Sequence, residues 1–216
     1  KSLTRVINNY KGLLILCAIT STFGVESAWG NYYAKVTVST NPTGKGSVYV
    51  EKSGQTSATK SGDSDANVSF SISATTPPGY EWSGWTSSNV SGLPSETSGT
   101  ITVKTATKTG DSNAKEYSVT ANFTAKTYDI TLDGNGGSKG SATATYDGGW
   151  SSITHCSRTG YTLDGYYTTQ SGGYKVADAL GNLQKSISEY TDANGKWIKD
   201  GGATLYAQYN VGYSNA

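Results

Sequence analysis

A chain of 216 residues with 17 Lys plus Arg against 16 Asp plus Glu lacks the cationic surplus that phosphate neutralisation or an anionic membrane surface demands. Neither nucleic acid nor lipid headgroups are expected as partners. Glycine (27) and tyrosine (16) are abundant, methionine is absent, and Ser and Thr crowd almost every segment, which is the vocabulary of turn-rich β-structure rather than of helix bundles.

The chain opens with Lys1, Arg5 and Lys11 around an apolar run, residues 12–23 (GLLILCAITSTF), that is short for a bilayer span. A small-x-small site follows at Ala28-Trp29-Gly30. Residues 1–30 are therefore expected to be an export signal cleaved before Asn31, with an uncleaved anchor or a buried strand as the alternatives. Use of Cys17 as a lipoprotein site is disfavoured by Leu16 in front of it. The expected product is secreted or held at the cell surface and has no membrane span after cleavage. Its single thiol, Cys156, cannot form an internal disulfide, so burial and backbone pairing must hold the protein together.

From Tyr32 the residues alternate in the strand period. YYAKVTV, the polar turn at Asn41-Pro42-Thr43-Gly44 and GSVYVE read as a hairpin. A polar stretch, residues 53–66, separates this from a strand NVSFSISA, the turn Pro77-Pro78-Gly79 and the phrase GYEWSGW. ITVKTAT and EYSVTANF, joined by KTGDSNAK, complete a first module over residues 31–125. A second module over residues 126–210 starts with the strand and turn YDITLDGNGG and the return SATATYDGG, and then repeats the phrase as GYTLDGYY. Asp178 to Ser188 has the composition of a short helix, but Gly181-Asn182 inside it favours a turn between strands. Asp192-Ala193-Asn194-Gly195 signals a hairpin before KWIK, and Asp200-Gly201-Gly202 turns the chain into ATLYAQY. Matching opening strands, central phrases and closing strands (TANF against YAQY) form an internal repeat with divergent loops. Residues 211–216 read as a tail or linker to further repeats in a longer parent.

Residues 128–209 resemble the Listeria-Bacteroides repeat, also called the InlB B-repeat. The likeness is carried by Asp133-Gly134-Asn135-Gly136-Gly137, Arg158-Thr159-Gly160-Tyr161, Gly165-Tyr166-Tyr167 and Leu205-Tyr206-Ala207-Gln208-Tyr209. Residues 32–124 resemble a divergent form of the same repeat through the opening strand, NPTGKG, GYEWSGW and ANF. The resemblance implies a mostly β fold of two tandem β-grasp-like modules, strung in series on secreted or cell-surface bacterial proteins. It implies no catalytic residues and no cofactor.

The repeated phrase has two readings, an aromatic binding platform or a duplicated core. On a regular strand Tyr80 and Trp82 face one way and Trp85 the other. A bulge at Gly84 returns Trp85 to the first face, and Gly165 does the same for Tyr161, Leu163 and Tyr166. The signature Gly79, Tyr80, Trp82, Gly84, Trp85 with Gly160, Tyr161, Leu163, Gly165, Tyr166 is therefore read as structural. Rings outside it, Trp150, Tyr167, Tyr174, Trp197 and Tyr213, are the candidates for an exposed ligand-binding face directed at an unknown surface glycan or protein, with Asp147, Asn194 and Lys196 near two of them in sequence.

Other chemistry has little foundation in the sequence. Asp133 and Asn135 have the alternating spacing of a calcium loop, but the twelfth position is Ala144, and a hairpin turn explains the glycines. His155 and Cys156 are neighbours that a strand would point to opposite sides. No serine lies in G-x-S-x-G, and GNGGSKG has Gly140 where a P-loop needs Ser or Thr. Neither metal nor cofactor is expected. The chain reads as a non-enzymatic spacer or adhesion segment, with a carbohydrate- or glycoprotein-binding module as the alternative and a hydrolase with an acidic pair as a third.

Overall fold

The computed structural model describes residues 32–107 and 114–211; the expected signal, its cleavage point, Tyr213 and the tail from residue 212 lie outside the described residues. The fold is mostly β, and among the described residues there is no helix. No helix there is long and apolar enough to cross a membrane. The strands of the first half are β1 (Tyr32–Asn41), β2 (Ser47–Val50), β3 (Ser57–Gly62), β4 (Asn67–Thr75), β5 (Tyr80–Thr86), β6 (Ser98–Lys104) and β7 (Lys115–Ala125). Those of the second are β8 (Thr127–Asp133), β9 (Gly140–Thr145), β10 (Trp150–Thr154), β11 (Tyr161–Tyr167), β12 (Lys175–Asp178) and β13 (Ala203–Val211).

Alternation decides the faces. In β1 Tyr32, Ala34, Val36 and Val38 are buried, and in β7 Tyr117, Val119, Ala121 and Phe123. The two strands lie parallel, from Ala34 opposite Lys115 to Asn41 opposite Asn122, and the pairs Val36–Tyr117 and Val38–Val119 make the middle of one face apolar. On the other face the same register stacks Lys35 on Glu116, Ser39 on Thr120 and Asn41 on Asn122, each pair joined by a side-chain hydrogen bond. The four-stranded sheet runs β3-β1-β7-β5, and β2-β4-β6 form a separate three-stranded sheet. The hairpin expected between β1 and β2 is not formed. Both edges of β1 are taken, by β3 antiparallel and β7 parallel, and β2 pairs with β4. β3 lies inside the stretch that looked like a long polar loop; its alternation is written in Ser, Thr and Lys, with Ala58 alone turned fully inward.

The second half gives one sheet, β10-β9-β8-β13-β11-β12. Its centre repeats the order of the first: antiparallel partner of the opening strand, opening strand, closing strand, phrase strand. β8 and β13 are again parallel, Leu132 facing Leu205 in register, with β9 and β11 antiparallel on their outer edges. The core beneath them includes Ile130, Leu132, Tyr166, Val176, Trp197 and Leu205, all essentially inaccessible. The segment from Asp178 is a turn, not a helix: the Gly181 amide donates to the Asp178 carbonyl, and Ala177 bridges Leu183. Asp192 makes the next turn by accepting the amides of Asn194 and Lys196 on one carboxylate oxygen, and Thr191 bridges Trp197.

The described chain divides into two compact units. One holds the residues up to Thr75 with Gly84–Asn122, and the other holds Thr76–Ser83 with those from Phe123 onward. Within the second, Tyr80 is buried, its ring meets that of Tyr146 edge-on at 5.7 Å, and its hydroxyl donates to Asp147 at 3.0 Å. Gly79 lies so close to the Tyr146 ring that no Cβ fits there.

Candidate functional site

The repeated phrase is built around its second glycine. Gly84 has φ +106° and Gly165 φ +154°, a region that only glycine enters without strain. In β11 the register against β13 slips between Leu163 and Gly165, leaving Asp164 as the extra residue of a bulge. The slip returns Tyr166 to the inner face, where it is wholly buried. The Tyr166 hydroxyl accepts the Cys156 amide at 3.1 Å and lies 3.1 Å from His155 Nδ1. In β5 the corresponding ring, Trp85, is buried and its Nε1 donates to the Glu96 carbonyl at 2.9 Å. Trp82 is half-buried against Phe123.

Tyr161 departs from the expected inward set, being 41% exposed. It is the first residue of β11 and pairs with Val211 at the far end of β13, beyond the edge of the core. Its ring packs edge-on to Tyr209 and carries the Arg158 guanidinium 4.0 Å above its centre.

The proposed binding rings are scattered. Trp197 is fully buried, its Nε1 bonded to the Lys199 carbonyl and its ring edge-on to Tyr190, so it offers no open face. Trp150 is half-buried against Tyr166, with its Nε1 enclosed and without a hydrogen-bond partner. Tyr167 is half-buried, its hydroxyl donates to Asp164, and Lys175 lies 5.4 Å above its ring. Tyr167 and Lys175 together hold the Asp164 carboxyl below its ordinary value. Tyr174 is open to solvent. No two of these four rings stack on one another. Of their polar neighbours, Asp147 accepts from Lys196 Nζ at 3.4 Å, and Asn194 is engaged with Asp192.

His155 and Cys156 do not form a nucleophile and base. The thiol is buried and donates to the Leu132 carbonyl at 3.3 Å, and burial pushes its pKa up, while the imidazole faces the Tyr166 hydroxyl instead. The Asp133 carboxylate closes a turn by accepting the Asn135 amide, and the Asn135 side-chain amide donates to the carbonyls of Gln170 and Ala207. Among the described residues no cluster of acids, histidines or cysteines could hold a metal ion.

One arrangement was not foreseen from the sequence. The Gly134–Gly137 turn and the Arg158–Tyr161 turn are laced together: the Ser138 amide donates to the Ser157 carbonyl at 2.7 Å, the Ser157 amide to Ser138 Oγ at 2.9 Å, and the two hydroxyls are 2.9 Å apart. Between the turns lies an open depression of about 520 Å³ lined by Gly136, Gly137, Ser138, Ser157, Arg158 and Thr159, with Tyr161 at its side. Both turns carried the family resemblance and were absorbed as scaffold; the available signal was that Arg158 is one of only two arginines in the chain. A second depression of about 310 Å³, bordered by Asn89, Thr102, Lys104, Lys115 and Tyr117, lies in the first unit.

Compared with known proteins, the chain matches no family model and no curated protein.

Proposed function

We propose that this protein is a non-enzymatic spacer and adhesion segment, secreted or held at a cell surface, built of two tandem β-grasp-like modules of the InlB B-repeat kind. The observation that carries the reading is the strand order written twice: in each half the opening and closing strands lie side by side and parallel, with an antiparallel partner of the opening strand and the phrase strand outside them. First and last strands parallel at the centre of a sheet are a feature shared with β-grasp folds and support that reading; among the described residues no helix lies across either sheet. The same arrangement suits a spacer. Tension applied to the two ends of such a module shears the parallel ladder along its length, so its hydrogen bonds resist together rather than opening one by one.

The reading is tested by stretching the full chain between two handles in a force spectrometer. Two discrete unfolding events are expected, each at the high force of a sheared ladder. The shorter ladder, Ala203–Tyr206 against Ile130–Asp133, should yield before the longer one in β1 and β7. A featureless extension at low force contradicts the reading.

A further inference from the structure

The depression between the two turns has the features of a recognition site. The Arg158 guanidinium carbon lies 4.0 Å from the centre of the Tyr161 ring, and the guanidinium makes no hydrogen bond or ion pair with any described residue. With its charge over the ring and no partner for its N–H groups, the guanidinium keeps the fork that meets a carboxylate with two parallel hydrogen bonds. Neighbouring groups border the platform. Tyr161 packs against Tyr209, a Cβ at Gly136 would come within 3.6 Å of the guanidinium carbon, and Gly137 is closed in by the Ser157 carbonyl, the Tyr209 hydroxyl and the Arg158 side chain.

The rest of the lining is hydroxyl and glycine backbone: Ser138, Ser157 and Thr159 with Gly136 and Gly137. Behind Gly137 the Tyr209 hydroxyl is enclosed and has no hydrogen-bond partner, an unsatisfied polar group at the same place. An apolar side chain would find no pocket here, which disfavours a peptide. A sugar ring finds hydroxyl partners and the half-open flank of Tyr161. We propose that this depression binds the carboxylate of an acidic polysaccharide, a uronic-acid unit held bidentately by Arg158 with its ring hydroxyls on Ser138, Ser157 and Thr159. The proposal rests on the adhesive half of the function given above and names its ligand class; its failure leaves the mechanical half, tested by extension, untouched.

The test is calorimetric titration of the full chain with oligogalacturonate, its carboxyl-reduced counterpart and polyglutamate. Oligogalacturonate is expected to bind, and both carboxyl reduction and Arg158→Gln should weaken binding by about tenfold or more, the loss of one charge-assisted bidentate pair. Arg158→Lys, which keeps the charge without the fork, should fall between. The carboxyl-reduced ligand probes the wild-type chain, so the comparison survives if Arg158→Gln fails to fold. Equal binding of the reduced ligand, unchanged affinity in Arg158→Gln, or no oligogalacturonate binding at millimolar concentration would each overturn the site. Polyglutamate binding as tight as oligogalacturonate would overturn the glycan assignment.

Discussion

GYEWSGW and GYTLDGYY use one backbone device for rings of different fate. In both, a glycine at positive φ precedes a buried aromatic, Trp85 after Gly84 and Tyr166 after Gly165. The leading tyrosines diverge. Tyr80 is buried and gives its hydroxyl to Asp147, whereas Tyr161 stands 41% exposed beneath Arg158. What the repeat preserves is the positive-φ glycine and the buried ring that follows it; the first tyrosine is constrained only by what the strand end happens to face. A recurring motif can thus be scaffold at one position and surface at another.

The largest effect should separate those positions. Trp85→Ala and Tyr166→Ala remove buried rings and are expected to cost roughly 3–5 kcal/mol each in urea denaturation, whereas Tyr161→Ala should cost under about 1 kcal/mol. Similar losses for Tyr161 and Tyr166 would erase the distinction. Next come the bulge glycines. Alanine at Gly84 meets no atom within 4 Å, so Gly84→Ala carries backbone strain alone, about 1–2 kcal/mol. At Gly165 a Cβ would come 2.5 Å from the Ala177 carbonyl, so Gly165→Ala should cost more, about 3 kcal/mol, because it also pushes β12 away. Equal melting of the two variants would show that the approach of the Ala177 carbonyl to Gly165 is not the constraint described. Tyr166→Phe keeps the packing but leaves the Cys156 amide without its acceptor, an expected loss of about 1–2 kcal/mol by the same denaturation.

The smallest effect is electrostatic. The hydrogen bonds from Tyr167 and Lys175 lower the folded Asp164 pKa, so their stabilisation is present above the unfolded value and disappears as pH falls through the folded one. Melting of Asp164→Asn against wild type from pH 6 down to pH 2 should therefore differ most at the upper end and converge at the lower. With both side chains about one-third exposed, the difference should stay well under about 1 kcal/mol.

Much of this architecture was legible because it is local. Period-two alternation marks β1, β4, β7 and β13, and the glycine before Tyr166 marks the bulge in β11. What was hidden depends on partner choice across the chain. Nothing in GSVYVE says that it pairs with β4 rather than β1, because that is settled by β3 and β7 already occupying both edges of β1. Trp197 looked like an exposed hairpin ring, yet its amide donates to the Gly148 carbonyl and its own carbonyl accepts from Asp147, which draws its indole into the core. The Arg158 platform was missed for the converse reason. R-T-G-Y reads as a turn, and the Gly134–Gly137 turn that completes the depression lies about twenty residues earlier in sequence.

The central claim is that each half is locked by its parallel opening and closing strands. Native-state hydrogen exchange, followed amide by amide on the full chain, tests it most directly. The slowest amides should lie where β1 meets β7 and β8 meets β13, exchanging only through global unfolding of their unit, while β10 and β12 at the sheet edges open earlier. Exchange in those central pairs as fast as in the edge strands would contradict it.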